Sequence, residues 1–230
     1  MRPPNQPRQI LMNPEKVAYW YLRLNGFLQI EDFYVHPGGR GSARTDADLL
    51  AVRFPHRAER LYDDPTDIMQ DDADRLALSV DRIDVVIAEV KAGRCGLNGP
   101  WTTQADRNIQ RVLAAIGCLP PDRIERAAKD IYCTGTYEGE DLLRIRLAAI
   151  GREENEEVRS TYPNVRQVIW QDVLGFIFDR HQKYRKQKTQ TDHWDATGMQ
   201  LKHVVTTSGM TQEGFVKWAH TAMSVCEDPQ

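Results

Sequence analysis

The chain reads as an α/β protein with a mixed central β-sheet flanked by helices. Residues 82–90 (RIDVVIAEV) form a β-branched run of one strand's length, apolar enough to be buried on both faces. Residues 13–25 (NPEKVAYWYLRLN) place Val17, Tyr21 and Leu24 at helical spacing, with Ala18 and Leu22 on the same face. Along the chain such segments follow the order helix, three strands, helix, strands, helix, which suits a sheet covered by helices.

Each element follows from local signals. Asn13 caps the first helix, Pro14 suits its first turn because an N–H there has no helical acceptor, and Gly26 ends it. Residues 27–35 read as the first strand, turned by His36-Pro37-Gly38-Gly39, and residues 48–54 (DLLAVRF) as the second. Residues 55–81 hold Asp63, Asp64, Asp67, Asp71, Asp72 and Asp74 and read as a solvated acidic excursion that loops out of the sheet. After the 82–90 strand, glycines lead to a helix over 104–116 that Thr102 or Thr103 can cap. Residues 131–136, 142–150 and 165–170 are candidate strands, with a turn at Glu138-Gly139. A helix is predicted over 172–186, with Val173, Phe176, Ile177 and Tyr184 inward, and a last one over 211–225. The expected organisation is a single domain over 1–230, with a flexible tail over 1–12 and a C-terminal helical extension over 190–230.

Composition narrows the functional classes. No apolar run is long enough to span a membrane, and the Pro-rich, polar N-terminus lacks the apolar core of a signal peptide, so the expected location is cytoplasmic. Cys95, Cys118, Cys133 and Cys226 are scattered without a CxxC pair, which argues against zinc and a disulfide framework. A net charge of −3 argues against a protein that coats nucleic acid indiscriminately, but leaves room for a nucleic-acid enzyme with unevenly placed cations.

The chemistry concentrates at the end of the apolar strand. Alternation sends Glu89 and Lys91 to one face while Val90 packs behind them. Such a pair also serves as a plain salt bridge; its position, closing a buried strand just before Gly93, distinguishes it. The preceding strand opens with Asp46-Ala47-Asp48. Phosphodiester hydrolysis uses a cation to polarise the phosphate and to acidify an attacking water. Magnesium takes one or two carboxylates and keeps waters and substrate phosphate in its other positions. Asp48 and Glu89 supply that minimum, and Lys91 beside them can orient or deprotonate the water or stabilise transition-state charge. Asp46 shares a strand face with Asp48 and is an additional candidate ligand, while the alternative for Asp48 is a turn cap.

The pattern DADLLAV followed by IDVVIAEVK resembles the D…ExK signature of the PD-(D/E)XK, or restriction-endonuclease-like, nuclease superfamily. The segment PEKVAYWYLRLNGFLQIEDF resembles the first helix and strand of its Holliday-junction-resolvase-like branch, with Gly26-Phe27 at the helix-to-strand junction and Glu15 in place of the helix glutamate. The resemblance covers the first half of the chain. It implies a core of helix, three antiparallel strands, helix and strand. It also implies Asp48 and Glu89 as ligands to magnesium (or manganese), the Val90 carbonyl as a third, Lys91 as the water-positioning base, and Glu15 joining through a second metal or a water. Two departures accompany it: Ala47-Asp48 replaces the usual Pro-Asp pair, and the 55–81 excursion lengthens the connection between the two motif strands.

In that superfamily, polar residues of the helix after the ExK strand often face the substrate, which makes Gln104 and Asn108 candidates here. Trp101 reads as packing or as a base-stacking ring. Arg180, Lys183, Arg185, Lys186 and Lys188, with His181 and Tyr184 interleaved, form a basic cluster suited to phosphate contact, or simply a solvated helix end. The leading expectation is a metal-dependent nuclease acting on DNA, alone, as a homodimer or with a partner protein. The competing one is a catalytically inactive nuclease-fold protein that binds nucleic acid or a partner protein; a third is an unrelated α/β interaction protein.

Overall fold

The computed structural model describes residues 11–36, 45–60, 66–140, 142–187, 189–191 and 193–224. The first helix, α1 (Pro14–Leu24), starts as its cap requires: the Asn13 side chain accepts the Glu15 N–H at 2.7 Å. Strands β1 (Leu28–Val35) and β2 (Thr45–Arg53) form an antiparallel pair. A short helix, α2 (Ala73–Leu76), precedes β3 (Ile83–Val90), which runs antiparallel to β2. The crossover carries α3 (Gly99–Thr102), a 3-10 turn at Gln104–Asp106, α4 (Asn108–Ile116) and α5 (Pro121–Thr134). It returns through β4 (Thr136–Glu138) to β5 (Leu143–Gly151), which lies parallel to β3. Then follow α6 (Glu156–Thr161), β6 (Arg166–Ile169), α7 (Trp170–Lys183), α8 (Ala196–Thr207) and α9 (Gln212–Ser224).

The result is a mixed six-stranded sheet in the order β1-β2-β3-β5-β4, with β6 beside the far end of β5. One face packs on α1, α7, α8 and α9 through Val86, Ala88 and Val90; the other packs on α3, α4 and α5 through Val85 and Ile87. Helices on both faces explain why β3 is apolar without alternation.

Several local readings are corrected by tertiary contacts. Residues 131–134 close helix α5, not a strand, because Ala127, Ala128, Ile131 and Tyr132 form one buried helical stripe. The 104–116 helix is broken at Arg107, whose φ of 55° lies in the left-handed region. Met12 is buried, with its N–H on the Ala222 carbonyl, so the tail ends before it. The C-terminal helices are part of the core, contributing Leu201, Val205 and Phe215. The acidic segment is not uniformly solvated: Asp72 accepts the Tyr21 hydroxyl at 2.8 Å, and Asp71 pairs with Arg53 and Arg57. Asp63 and Asp64 lie outside the described residues, as do the 37–39 turn, Lys188 and Cys226.

Gly198 shows how closely α8 docks. Trp20 Nε1 donates to Asp195, the α8 cap, at 2.9 Å, and a Cβ on Gly198 would overlap the Trp20 ring. Gly198→Ala is therefore expected to destabilise the fold by about 1–3 kcal/mol, overriding the helical preference for alanine. Urea titration measures it; an unchanged midpoint would mean that α8 is not packed on α1 in this way.

Candidate active site

The β2–β3 ladder runs from Arg53↔Asp84 to Leu49↔Ala88 and stops there. Beyond it the two strands separate, and Asp48 stands where they fork. Its Oδ2 accepts the Val90 N–H at 2.6 Å, doing with a side chain what a backbone carbonyl of β2 would do in a continued ladder. Because the N–H and C=O of one strand residue point the same way, the Val90 carbonyl also faces the fork. Asp48 is able to turn inward because alternation slips at this point. Ala47 packs in the same layer as Leu50, and Leu49 in the opposite one. Across from it, Asp32 has a φ of 50° and interrupts the pairing between Glu31↔Leu49 and Phe33↔Ala47.

Glu89 follows on the other strand, 1% exposed. Its Oε1 accepts from Lys91 Nζ at 2.6 Å and its Oε2 from Trp101 Nε1 at 2.8 Å. The Lys91 carbonyl accepts Trp170 Nε1 at 3.0 Å. Glu15 belongs to the same electrostatic group through the first turn of α1. Burial, then the charge of Asp48, push its carboxyl upward. Burial also raises Asp48, opposed by the Val90 hydrogen bond and Lys91 and reinforced by Asp46 and Asp32. Glu89 is raised by burial and by Asp48, against the opposing effects of Lys91 and Trp101. All three carboxyls are raised mainly by burial, and their mutual charges add to that shift.

Among the described residues no group of three or more His, Cys, Asp or Glu side chains makes a ready-made metal cage. The donor set suits a hard cation that needs less protein than that. Asp48 Oδ1 takes no hydrogen bond from any described residue, Glu89 is close enough to feel the charge of Asp48, and both offer oxygen, as magnesium prefers. Asp46 is half-buried on β2, paired in register with Tyr34, and adds its charge to the group.

The remaining predicted contacts separate from this site. Asn108 is 2% exposed and donates to the Pro100 carbonyl, so it braces the loop instead of facing a substrate. Gln104 is exposed in the 3-10 turn and makes no hydrogen bond to Asp48 or Glu89. Arg180 is also 2% exposed; it donates to the carbonyls of Leu24 and Gln70 and pairs with Glu59, which rules it out as a phosphate contact. It meets α1 at Leu24, its C-terminal residue, whereas Glu15 occupies the N-terminal end of that helix, about 14 Å away by helical rise. Lys183 and Lys186 are exposed but follow Arg180 to that far end, and so do not share a surface with the fork. The sequence does not single out Asp32 or Trp170, and it offers Trp101 only as packing or a base-stacking ring, not as a partner of Glu89. The one local sign was Glu31-Asp32, two carboxylates inside a strand, where acidic residues are disfavoured.

Compared with known proteins, the chain matches no family model, no curated protein and no solved structure. The functional reading therefore rests on the residues and their geometry. No helix among the described residues is long and apolar enough to cross a membrane.

Proposed function

We propose that the protein is a magnesium-dependent nuclease with a restriction-endonuclease-like core, hydrolysing phosphodiester bonds in DNA. The observation that carries the proposal is the fork: the Asp48 side chain bonded to the Val90 N–H, with Glu89 and Lys91 immediately beside it. The succession of α1, three antiparallel strands, a helical crossover and a strand parallel to β3 supports it as well.

In this reading Asp48, Glu89 and the Val90 carbonyl hold the cation, and manganese can take its place. The bound ion supplies Lewis acidity toward the phosphate and an acidified water. Lys91 Nζ would orient the attacking water and balance charge on the phosphoryl oxygens; as the water oxygen bonds phosphorus it gives its proton to solvent, and the sugar oxygen leaves and takes a proton back from solvent. Glu15, whose charge couples to Asp48, would hold a further water or a second cation. The substrate approaches the end of the sheet where β1 finishes, not the basic end of α7. There, a groove of about 510 Å³ runs between β1 and α4, lined by Asp32, Tyr34 and Arg111 among others. Arg111 is exposed on the groove wall and forms no ion pair with a described residue, so a phosphate can reach it.

Cleavage of supercoiled plasmid and labelled oligonucleotides, with magnesium, manganese or EDTA, tests the proposal. Cutting is expected with either metal, none with EDTA, and a loss of at least about a hundredfold in Glu89→Ala. A folded protein that binds DNA without cutting it in either metal would replace the enzyme by a binding protein on the same fold.

A further inference from the structure

Both ends of the Glu89-Val90-Lys91 triplet are held by an indole N–H. Trp101, on the short helix after the strand, bonds the Glu89 side chain from the α4–α5 face, and Trp170, at the start of α7, bonds the Lys91 carbonyl. Trp101 and Glu89 are each 1% exposed, so no bulk water competes for that bond. We propose that Trp101 is a positioning residue that fixes Glu89 Oε2 on the protein side and so presents Oε1 to the fork shared with Asp48 and Lys91. This inference rests on the metal-dependent reading above and deepens it.

The choice of side chain fits the task. An indole has one N–H and no acceptor, so its bond to a carboxylate has a single sense and cannot be reversed. It is neutral, so it orients the carboxylate without cancelling the charge that a cation needs. A lysine or arginine in its place would compete with the cation, as Lys91 does at Oε1. The rest of the ring packs in the same layer as Ile109 and Leu113, so the N–H is aimed by the core. The anchoring of α3 is itself fixed, since the Asn108 side chain donates to the Pro100 carbonyl at 3.2 Å and the Trp101 N–H to the Asn98 carbonyl at 2.9 Å. Outer partners of this kind typically change metal affinity or activity by roughly 10- to 100-fold when removed.

The cleanest test replaces Trp101 with 3-benzothienylalanine, which exchanges the N–H for sulfur within the same ring outline and leaves packing intact. Trp101→Phe is the genetic counterpart. Binding of manganese alone, followed by electron paramagnetic resonance of the free ion, gives a readout independent of turnover. The magnesium concentration for half-maximal cleavage gives a second. Both are expected to weaken roughly tenfold or more, with the oligonucleotide KM and the thermal midpoint of the benzothienyl protein unchanged. Unchanged manganese affinity in that variant, beside a wild type that binds manganese through Glu89, overturns the role of Trp101 and leaves the nuclease reading in place. A wild type whose manganese binding is absent, or is untouched by Glu89→Ala, overturns both.

Discussion

Asp48→Asn should abolish cleavage and, in the same protein, raise its stability at pH 7. On the proposed function, activity is expected to fall by at least about a thousandfold, equivalent to roughly 4 kcal/mol of barrier, because the variant removes one of the two proposed anionic ligands. The gain in stability has a separate origin. Burial holds the Asp48 carboxyl above its usual value of 3.8, so the fold favours the protonated form over the ionised one. Below pH 3.8 the group is protonated whether the chain is folded or not, and the substitution changes little. As the pH rises through that value and then through the higher folded one, the ionised carboxylate becomes progressively destabilising. Asparagine escapes this penalty and still offers an oxygen to the Val90 N–H. The expected result is a higher urea midpoint than wild type at pH 7 and little difference at pH 4. Urea titrations without metal at pH 4 and pH 7 check it. A turn-capping carboxylate predicts the opposite, and a fall in stability at pH 7 would assign Asp48 that structural role instead.

The parts of this protein that were readable from sequence are those set by neighbours along the chain. Asn13 and Pro14 start α1 where their side chains dictate, and the uninterrupted apolar run of β3 announces a strand covered on both faces. The triplet at its end and the aspartate at the start of β2 could be nominated for the same reason, since strand alternation is local. What could not be read is long-range. The Arg180 side chain finds its acceptor in Leu24, 156 positions away, and nothing in the basic sequence around it separates a buried clamp from a phosphate contact. Asp71 and Asp72 looked solvated because Arg53 and Tyr21, their partners, come from other elements. The α5 error has a different cause. Ile131 and Tyr132 are residues that favour strands, and only the stripe they share with Ala127 and Ala128 makes them helical. The two tryptophans at the triplet belong with the first kind, because an indole's hydrogen-bond partner depends on the fold.

Asp84→Ala is expected to bring the largest loss of stability, about 3–5 kcal/mol. Asp84 opens the strand whose other end carries Glu89, and it is 2% exposed between two arginines. Arg146, itself 4% exposed, bonds it at 2.8 Å, and Arg144 reaches it at 2.8 Å from the strand's edge. Burial alone would raise this carboxyl, but the hydrogen bonds and charges of Arg146 and Arg144 outweigh it and hold the group below 3.8. Its contribution is thus present above pH 3.8 and is lost as the pH falls through the folded value. Removing the carboxylate strands Arg146 in the core, with the Leu76 carbonyl as its other acceptor. The loss therefore comes mainly from an uncompensated buried cation, and not from the attraction that disappears. That distinction can be measured. If Asp84→Leu combined with Arg146→Met recovers most of the stability lost in Asp84→Ala, the pair is replaceable by packing, and Arg144 (still partly exposed) can turn to water. If the double variant is as unstable as the single one, the ion pair itself sets the register that delivers Glu89 to the fork, and metal-dependent cleavage should fall with it.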